Sequence, residues 1–207
     1  MLRRIFGVGK AYDGWRQFAR EAGGELVDRG FIRSDSNQPG RWQFGPWVEV
    51  HLAVRGHPAI LETLYEDADE NVRRYTSLRV TLPLREPFRF EVSREGVLDR
   101  LGKLVGMQDL QVGHPDFDRA FHVKTSNERV ARSLLDDEGI RQRLLTEAGG
   151  AFGLRPADSS GGSDDRADLY FEETDLIQEF ARLTALSRLL EETVARAERL
   201  GLLRTQP

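Results

Sequence analysis

The chain has no cysteine, so disulfides, thiolate metal sites and thiol nucleophiles are all excluded. It has four histidines, at 51, 57, 114 and 122, which leaves little material for imidazole chemistry. Lysine is scarcer still: three of the thirty basic residues are lysines, and arginine supplies the rest. A skew of that kind is what GC-rich coding produces, so arginine clusters are discounted as functional signals. No apolar run approaches the roughly 18 residues of a membrane span. The first ten residues lack the apolar core of a secretory signal, and a cytoplasmic location is the expectation.

What is present is ordinary for a globular protein. Of the 207 residues, 39% are hydrophobic and 31% charged, which is enough apolar material for a sizeable core. The net charge of −4 argues against a surface matched as a whole to nucleic acid or anionic lipid. The length suits one domain over residues 1–207, or two packed halves at 10–85 and 86–207.

Tyr12, Trp15, Phe18, Ala19 and Ala22 form a helical stripe that Gly23-Gly24 ends. Val48, Val50, Leu52 and Val54 alternate with more polar residues. So do the residues from Val72 to Leu82, and both runs read as half-buried strands with a third at Ile60 to Tyr65. An acidic turn, Glu66 to Asn71, separates the second and third. Phe88, Phe90 and Val92 continue the alternation.

A short helix is expected over Val97 to Val105. The segment from Gly113 to Lys124 reads as a strand with Phe117, Phe121 and Val123 toward the core. Thr125-Ser126-Asn127 offers an N-cap for a helix that is redirected at Asp136 to Gly139 and closed by Gly149-Gly150. Strands at Ala151 to Leu154 and Leu169 to Phe171 flank a flexible loop at 156–167. Thr174 is placed to cap a last helix of roughly 35 to 40 Å at about 1.5 Å per residue, with Asp175 near its positive end. The order of elements is segregated, not alternating. It predicts an α+β fold: an antiparallel meander with helices packed on one side and a long C-terminal helix.

Tyr75-Thr76, Gly113-x-Pro115-x-Phe117-Asp118-x-x-Phe121 and Ala131-x-x-Leu134-Leu135 carry a resemblance to a family of bacterial proteins of no assigned function. An acid is common in that group where this chain has His114. The resemblance implies a stand-alone bacterial fold and transfers no functional residue.

Four sets of residues carry candidate chemistry. His114, Asp116, Asp118 and His122 share one parity on a strand and could offer nitrogen and oxygen ligands to a divalent ion, the basis of a metal-dependent hydrolase. Pro115 and the roughly 25 Å from end to end oppose this, so Asp118 reads as a turn or capping acid. Arg73, Tyr75 and Arg79 share a strand face that Arg89 could join, a surface for phosphate or single-stranded nucleic acid. The plainer reading is a solvated face with cross-strand pairs to Glu62 or Glu91. Ile177, Leu186, Leu189 and Leu200 lie outside the main stripe of the last helix and are candidates for an interface with a second copy or a partner. Gly7-Val8-Gly9-Lys10 lacks the spacing and the following Ser or Thr of a phosphate loop. His51 and His57 read as structural.

No serine sits on an elbow beside a histidine and an acid. With no convergent catalytic groups and no implied cofactor, the sequence favours a non-catalytic binding or adaptor domain for a protein partner or a small apolar ligand, with nucleic acid disfavoured. A metal-dependent hydrolase and a structural homodimerisation module are the alternatives.

Overall fold

The computed structural model describes residues 9–31, 46–68, 71–94, 106–147, 149–157 and 166–204. The helix expected at 97–105, Gly7 and Val8, and most of the 156–167 loop lie outside them.

The fold is α+β. Nine strands form one antiparallel sheet: β1 (Glu25–Phe31), β2 (Pro46–Val54), β3 (His57–Ala68), β4 (Asn71–Pro83), β5 (Phe90–Ser93), β6 (Gln108–Asp109), β7 (His122–Thr125), β8 (Ala151–Pro156) and β9 (Arg166–Thr174). Their spatial order is β1-β2-β3-β4-β9-β8-β5-β7-β6. The first four make the expected meander. The tight β2–β3 turn is closed by Arg55 and Gly56 at φ 52° and 81°, the left-handed pair that matches strand twist. The later strands return so that β9 lies against β4, in register from Tyr75 opposite Thr174 to Pro83 opposite Arg166. That seam makes the sheet continuous across both halves of the chain.

Strand periodicity sorts the side chains onto two faces. Val50, Leu61, Leu78, Phe171, Phe152 and Val92 line up across six neighbouring strands and are buried on one face. Helices α1 (Asp13–Glu21), α3 (Glu128–Leu135), α4 (Glu138–Glu147) and α5 (Phe180–Arg199) cover that face, with α5 lying across β2, β4 and β9 and touching α1, α3 and α4. Trp15 and Phe18 bring α1 into the core. Gly23, at φ 66°, lets the chain turn back so that the Gly24 amide bonds the Ala19 carbonyl at 2.8 Å. The Asn127 side chain accepts from the Val130 amide at 3.2 Å and caps α3 as expected.

Three local expectations need correction. The segment after His114 is not a strand: Pro115–Ala120 forms a short helix, α2, with proline at its first position, where a missing N–H leaves nothing unpaired. Phe117 and Phe121 are both buried, because residues four apart share a helical face as readily as residues of equal parity share a strand face. The last helix begins at Phe180, not after Thr174, which ends β9, so it is about 30 Å long. Asp175 is at φ 73° in the linker, where the Thr76 hydroxyl donates to its carbonyl at 2.8 Å and accepts from the Ile177 amide at 2.9 Å. Finally, Ile177, Leu186 and Leu189 are buried inside the chain and so belong to its own core, while Leu200 is half-buried against it.

Candidate functional site

The sheet face opposite the helices is polar, and its groups are set by the same alternation that builds the core. Glu49 and His51 on β2, Glu62 on β3, Ser77, Arg79 and Thr81 on β4, Asp168, Tyr170 and Glu172 on β9, Arg155 on β8 and Glu91 on β5 all have the outward parity.

They are joined strand to strand. Arg29 of β1 forks onto Glu49 Oε2 through Nε at 3.2 Å and Nη2 at 3.0 Å, and His51 Nε2 meets the same oxygen at 2.5 Å. Arg79 donates from Nε to Glu62 at 2.9 Å and from Nη1 to Asp168 at 3.3 Å, while the Thr81 hydroxyl donates to Asp168 at 2.7 Å. Arg155 donates to Glu172 at 2.6 Å and lies 4.2 Å above the Tyr170 ring, a cation–π contact. The Tyr170 hydroxyl donates to Glu91 at 2.7 Å. Gly153 stands opposite Tyr170 in the register, where a Cβ would fall 2.4 Å from the Phe90 carbonyl oxygen and 3.1 Å from the Tyr170 hydroxyl.

The electrostatics follow from that pairing. Burial alone would lower the affinity of Arg79 for its proton, but Glu62 and Asp168 outweigh it and raise the pKa, so the guanidinium stays charged. Burial raises the Glu91 carboxyl, with Glu172 adding to the shift and the Tyr170 hydrogen bond opposing it. Burial, then the Glu91 charge, holds the Tyr170 phenol well above its usual value. The cross-strand ion pair to Glu62 is the plainer of the two readings of the arginine face.

Of the candidates on that face, Arg73, Tyr75 and Arg79 have the same outward parity on β4, with Arg73 exposed and Tyr75 buried. Arg89 does not join them. It precedes β5, which is three strand positions from β4, about 14 Å at roughly 4.8 Å per strand.

The proposed metal ligands are dispersed. His114 precedes α2 and meets Asp136 at 3.2 Å; Asp116 pairs with Arg119 at 3.5 Å at the surface; His122 is exposed on β7. Asp118 turns back to accept from the amides of Val112 and Gly113, both at 2.8 Å, and so fastens the loop before α2. Among the described residues no three His, Asp or Glu side chains gather as a metal-binding group.

Concavities lie on the helix side of the sheet. An apolar void of about 10 Å³ lies in the core between Leu82, Phe88, Leu134 and Ala197. An open groove of about 630 Å³ runs beside α1, between Arg16, Gln17 and Arg20 and the half-buried Leu26 and Phe180. On the helix side, Tyr12 and Tyr65 share hydrogen bonding with Thr63; burial pushes the Tyr65 phenol up to about 12.

Sequence reasoning did not find Asp168, Tyr170, Glu172 or Arg155. Their signal was the polar parity around Leu169 and Phe171, which becomes informative only once β9 is known to lie beside β4.

No protein-family model and no curated protein matches the chain. Among solved structures, it is similar to the crystal structure of the mycobacterial trehalose monomycolate transport factor A, TtfA, with a TM-score of 0.54 and 12% sequence identity over 99% of each chain. Likeness at that identity is likeness of fold.

Proposed function

We propose that this chain is a non-catalytic binding or adaptor domain that serves a lipid-transport process through its surface. The observation that carries the reading is the fold it shares, end to end, with a transport factor. Two features of the chain favour an adaptor over a carrier or an enzyme. Among the described residues its apolar core void of about 10 Å³ is near the size of one water probe, and the larger groove of about 630 Å³ beside α1 is open and walled in part by the charged Asp13, Arg16 and Arg20, which suits a protein surface better than an acyl chain. Among the described residues, Arg29, Arg79 and Arg155 of the polar face are each engaged by carboxylates of the same face, which commits their charge to holding the sheet's side chains in place.

Native mass spectrometry of the full chain isolated gently from its own cells tests this. The expected result is a stoichiometric complex with a protein of the transport machinery, with no lipid retained by the chain when the complex is dissociated. A persistent one-to-one lipid complex would make it a carrier. Turnover of a p-nitrophenyl ester or phosphodiester with a divalent ion would make it an enzyme.

A further inference from the structure

Arg74 differs from the arginines of the polar face in having no partner. It is on β4 with the parity of Thr76 and Leu78, so it belongs to the helix side of the sheet, directly opposite Tyr65 in the register. Its Nε is buried with no hydrogen-bond partner, and among the described residues its guanidinium makes no ion pair. The Asp175 amide donates to the Arg74 carbonyl at 2.7 Å, but the two side chains are not paired.

A buried donor left unmatched costs stability, and a carboxylate at hydrogen-bond distance would remove that cost. Arg29, Arg79 and Arg155 each have one. Arg74 has phenols beside it instead. Tyr12, at the end of the one-turn 3-10 helix Lys10–Tyr12, and Tyr65 share hydrogen bonding with Thr63, and the Arg74 charge acts on both phenols in the direction opposite to burial. Lys10 starts that turn and is exposed, with no partner among the described residues. Asp28 on β1 is an acid whose charge reaches Tyr12, and it accepts the Gly30 amide at 2.9 Å. β1 is three strand positions from β4, about 14 Å.

The class of ligand follows from these groups. A guanidinium has donors only, so what completes it is an acceptor, and an anionic one bonds it most strongly. The other donors are the phenols and the Lys10 ammonium, which come from two layers of the fold, the sheet and the turn before α1. A tetrahedral oxyanion offers oxygens in several directions and meets such a set better than a flat carboxylate does. One contact at hydrogen-bond range does not need the net positive field that a chain of charge −4 does not have.

We infer that Arg74, with Tyr12, Tyr65 and Lys10 around it, forms a binding site for a phosphoryl oxyanion, carried either by a lipid headgroup or by a free phosphate. The inference does not rest on the adaptor reading, which the native complex decides separately.

Phosphorus NMR of inorganic phosphate titrated with the full chain tests it. Saturable line broadening is expected, with affinity weakened about tenfold or more by Arg74→Met, the size of one lost charge-assisted contact. Arg74→Lys, which keeps the charge and removes the fork, should weaken it by less. Arg166→Gln, an exposed position at the far end of β9, should leave it unchanged. Without phosphate, Arg74→Met should resist urea at least as well as the parent, because an unmatched donor is replaced by an unbranched apolar chain. An arginine with a structural role would move the other way, so a lower urea midpoint or loss of structure overturns the inference. Phosphate binding that Arg74→Met leaves intact overturns it too, and acetate competing as well as phosphate overturns the class. Co-sedimentation with phosphatidylcholine vesicles containing phosphatidic acid separates the sources. Arg74-dependent sedimentation that inorganic phosphate displaces assigns a lipid headgroup, and binding of phosphate without sedimentation assigns a free phosphate. Binding of neither overturns the inference.

Discussion

The indole N–H of Trp15 donates to the carbonyl oxygen of Ile177 at 2.7 Å, joining α1 to the β9–α5 linker across 162 positions of sequence. Trp15 is fully buried. Trp15→Phe keeps most of the packing and leaves the Ile177 oxygen without this donor, so a loss of about 1–3 kcal/mol is expected. Trp15→Ala should lose about 3–5 kcal/mol. Urea unfolding measures both, and a Phe variant as stable as the parent would mean that the bond contributes nothing.

Gly14 fixes how closely α1 approaches the same linker. A Cβ there would fall 1.8 Å from the Gln178 carbonyl oxygen and 3.0 Å from the Phe180 nitrogen, and backbone atoms cannot rotate out of the way. Gly14→Ala gains about 1 kcal/mol of helix propensity but has to push α1 off its seat. The overlap should win by about 1–3 kcal/mol. Gly139→Ala, in α4, is the control: its nearest neighbour is the Asp137 side chain at 3.3 Å, and stabilisation by up to about 1 kcal/mol is expected.

The polar face gives the protein a pH dependence of known sign. Burial raises the Glu91 carboxyl, so the folded state holds that proton more tightly than the unfolded chain does. The resulting stabilisation is fully present below the unfolded value, near about 4.3, and is lost as pH rises through the higher folded value. Glu173, raised by burial against the opposing charge of Arg182, acts in the same direction. Glu91→Gln keeps an acceptor for Tyr170 but cannot ionise. The stability of the parent relative to this variant should therefore fall as pH rises from about 4 to 7. A difference that stays flat across a urea-midpoint series would refute the assignment.

The sheet was legible in the sequence where alternation was long and its neighbours were sequential. Val48 to Val54 and Val72 to Leu82 each declare a face, and short turns make them partners. Alternation says which way a side chain points but not which strand lies alongside, so the insertion of β9 and β8 between β4 and β5 left no trace. That is why Arg89 looked like a neighbour of Arg79 and Asp168 did not. The same limit applies to Phe117 and Phe121, whose spacing of four satisfies both periods. In the last helix, Leu183, Leu190, Val194 and Ala197 were readable as a buried stripe, but the burial of Leu186 and Leu189 beside them was not, nor was the cap, because Thr174-Asp175 has the composition of a helix start and instead ends a strand.

The loop before α2 offers a direct comparison of a structural and a metal-ligating role. Both Asp118 oxygens accept backbone amides, so Asp118→Ala leaves two donors unmatched and should destabilise by about 1–3 kcal/mol. His114 and its partner Asp136 are exposed, and His114→Ala should change stability by less than about 0.5 kcal/mol. A ligand that binds only the folded state raises the melting temperature. Zinc or manganese should therefore leave the melting temperature of the parent unchanged, whereas a rise that His114→Ala abolishes would restore the metal site.

Leu189 distinguishes a helix that closes a core from one that awaits a partner. At the surface of a dimer, Leu189→Asp would yield folded monomers, since the new carboxylate would be solvated once the copies separate. Here Leu189 is fully buried, packed within the chain with Leu186 and Leu190. A carboxylate at that position has to be buried without a partner or the helix must leave the sheet, and a loss above about 4 kcal/mol is expected, enough to unfold a marginally stable domain. Arg188→Glu, one position away on the exposed side of α5, should remain folded. Size-exclusion chromatography with far-ultraviolet circular dichroism separates the outcomes: loss of structure for Leu189→Asp fits a core helix, and a folded monomer would mean that α5 can leave the sheet and dock elsewhere.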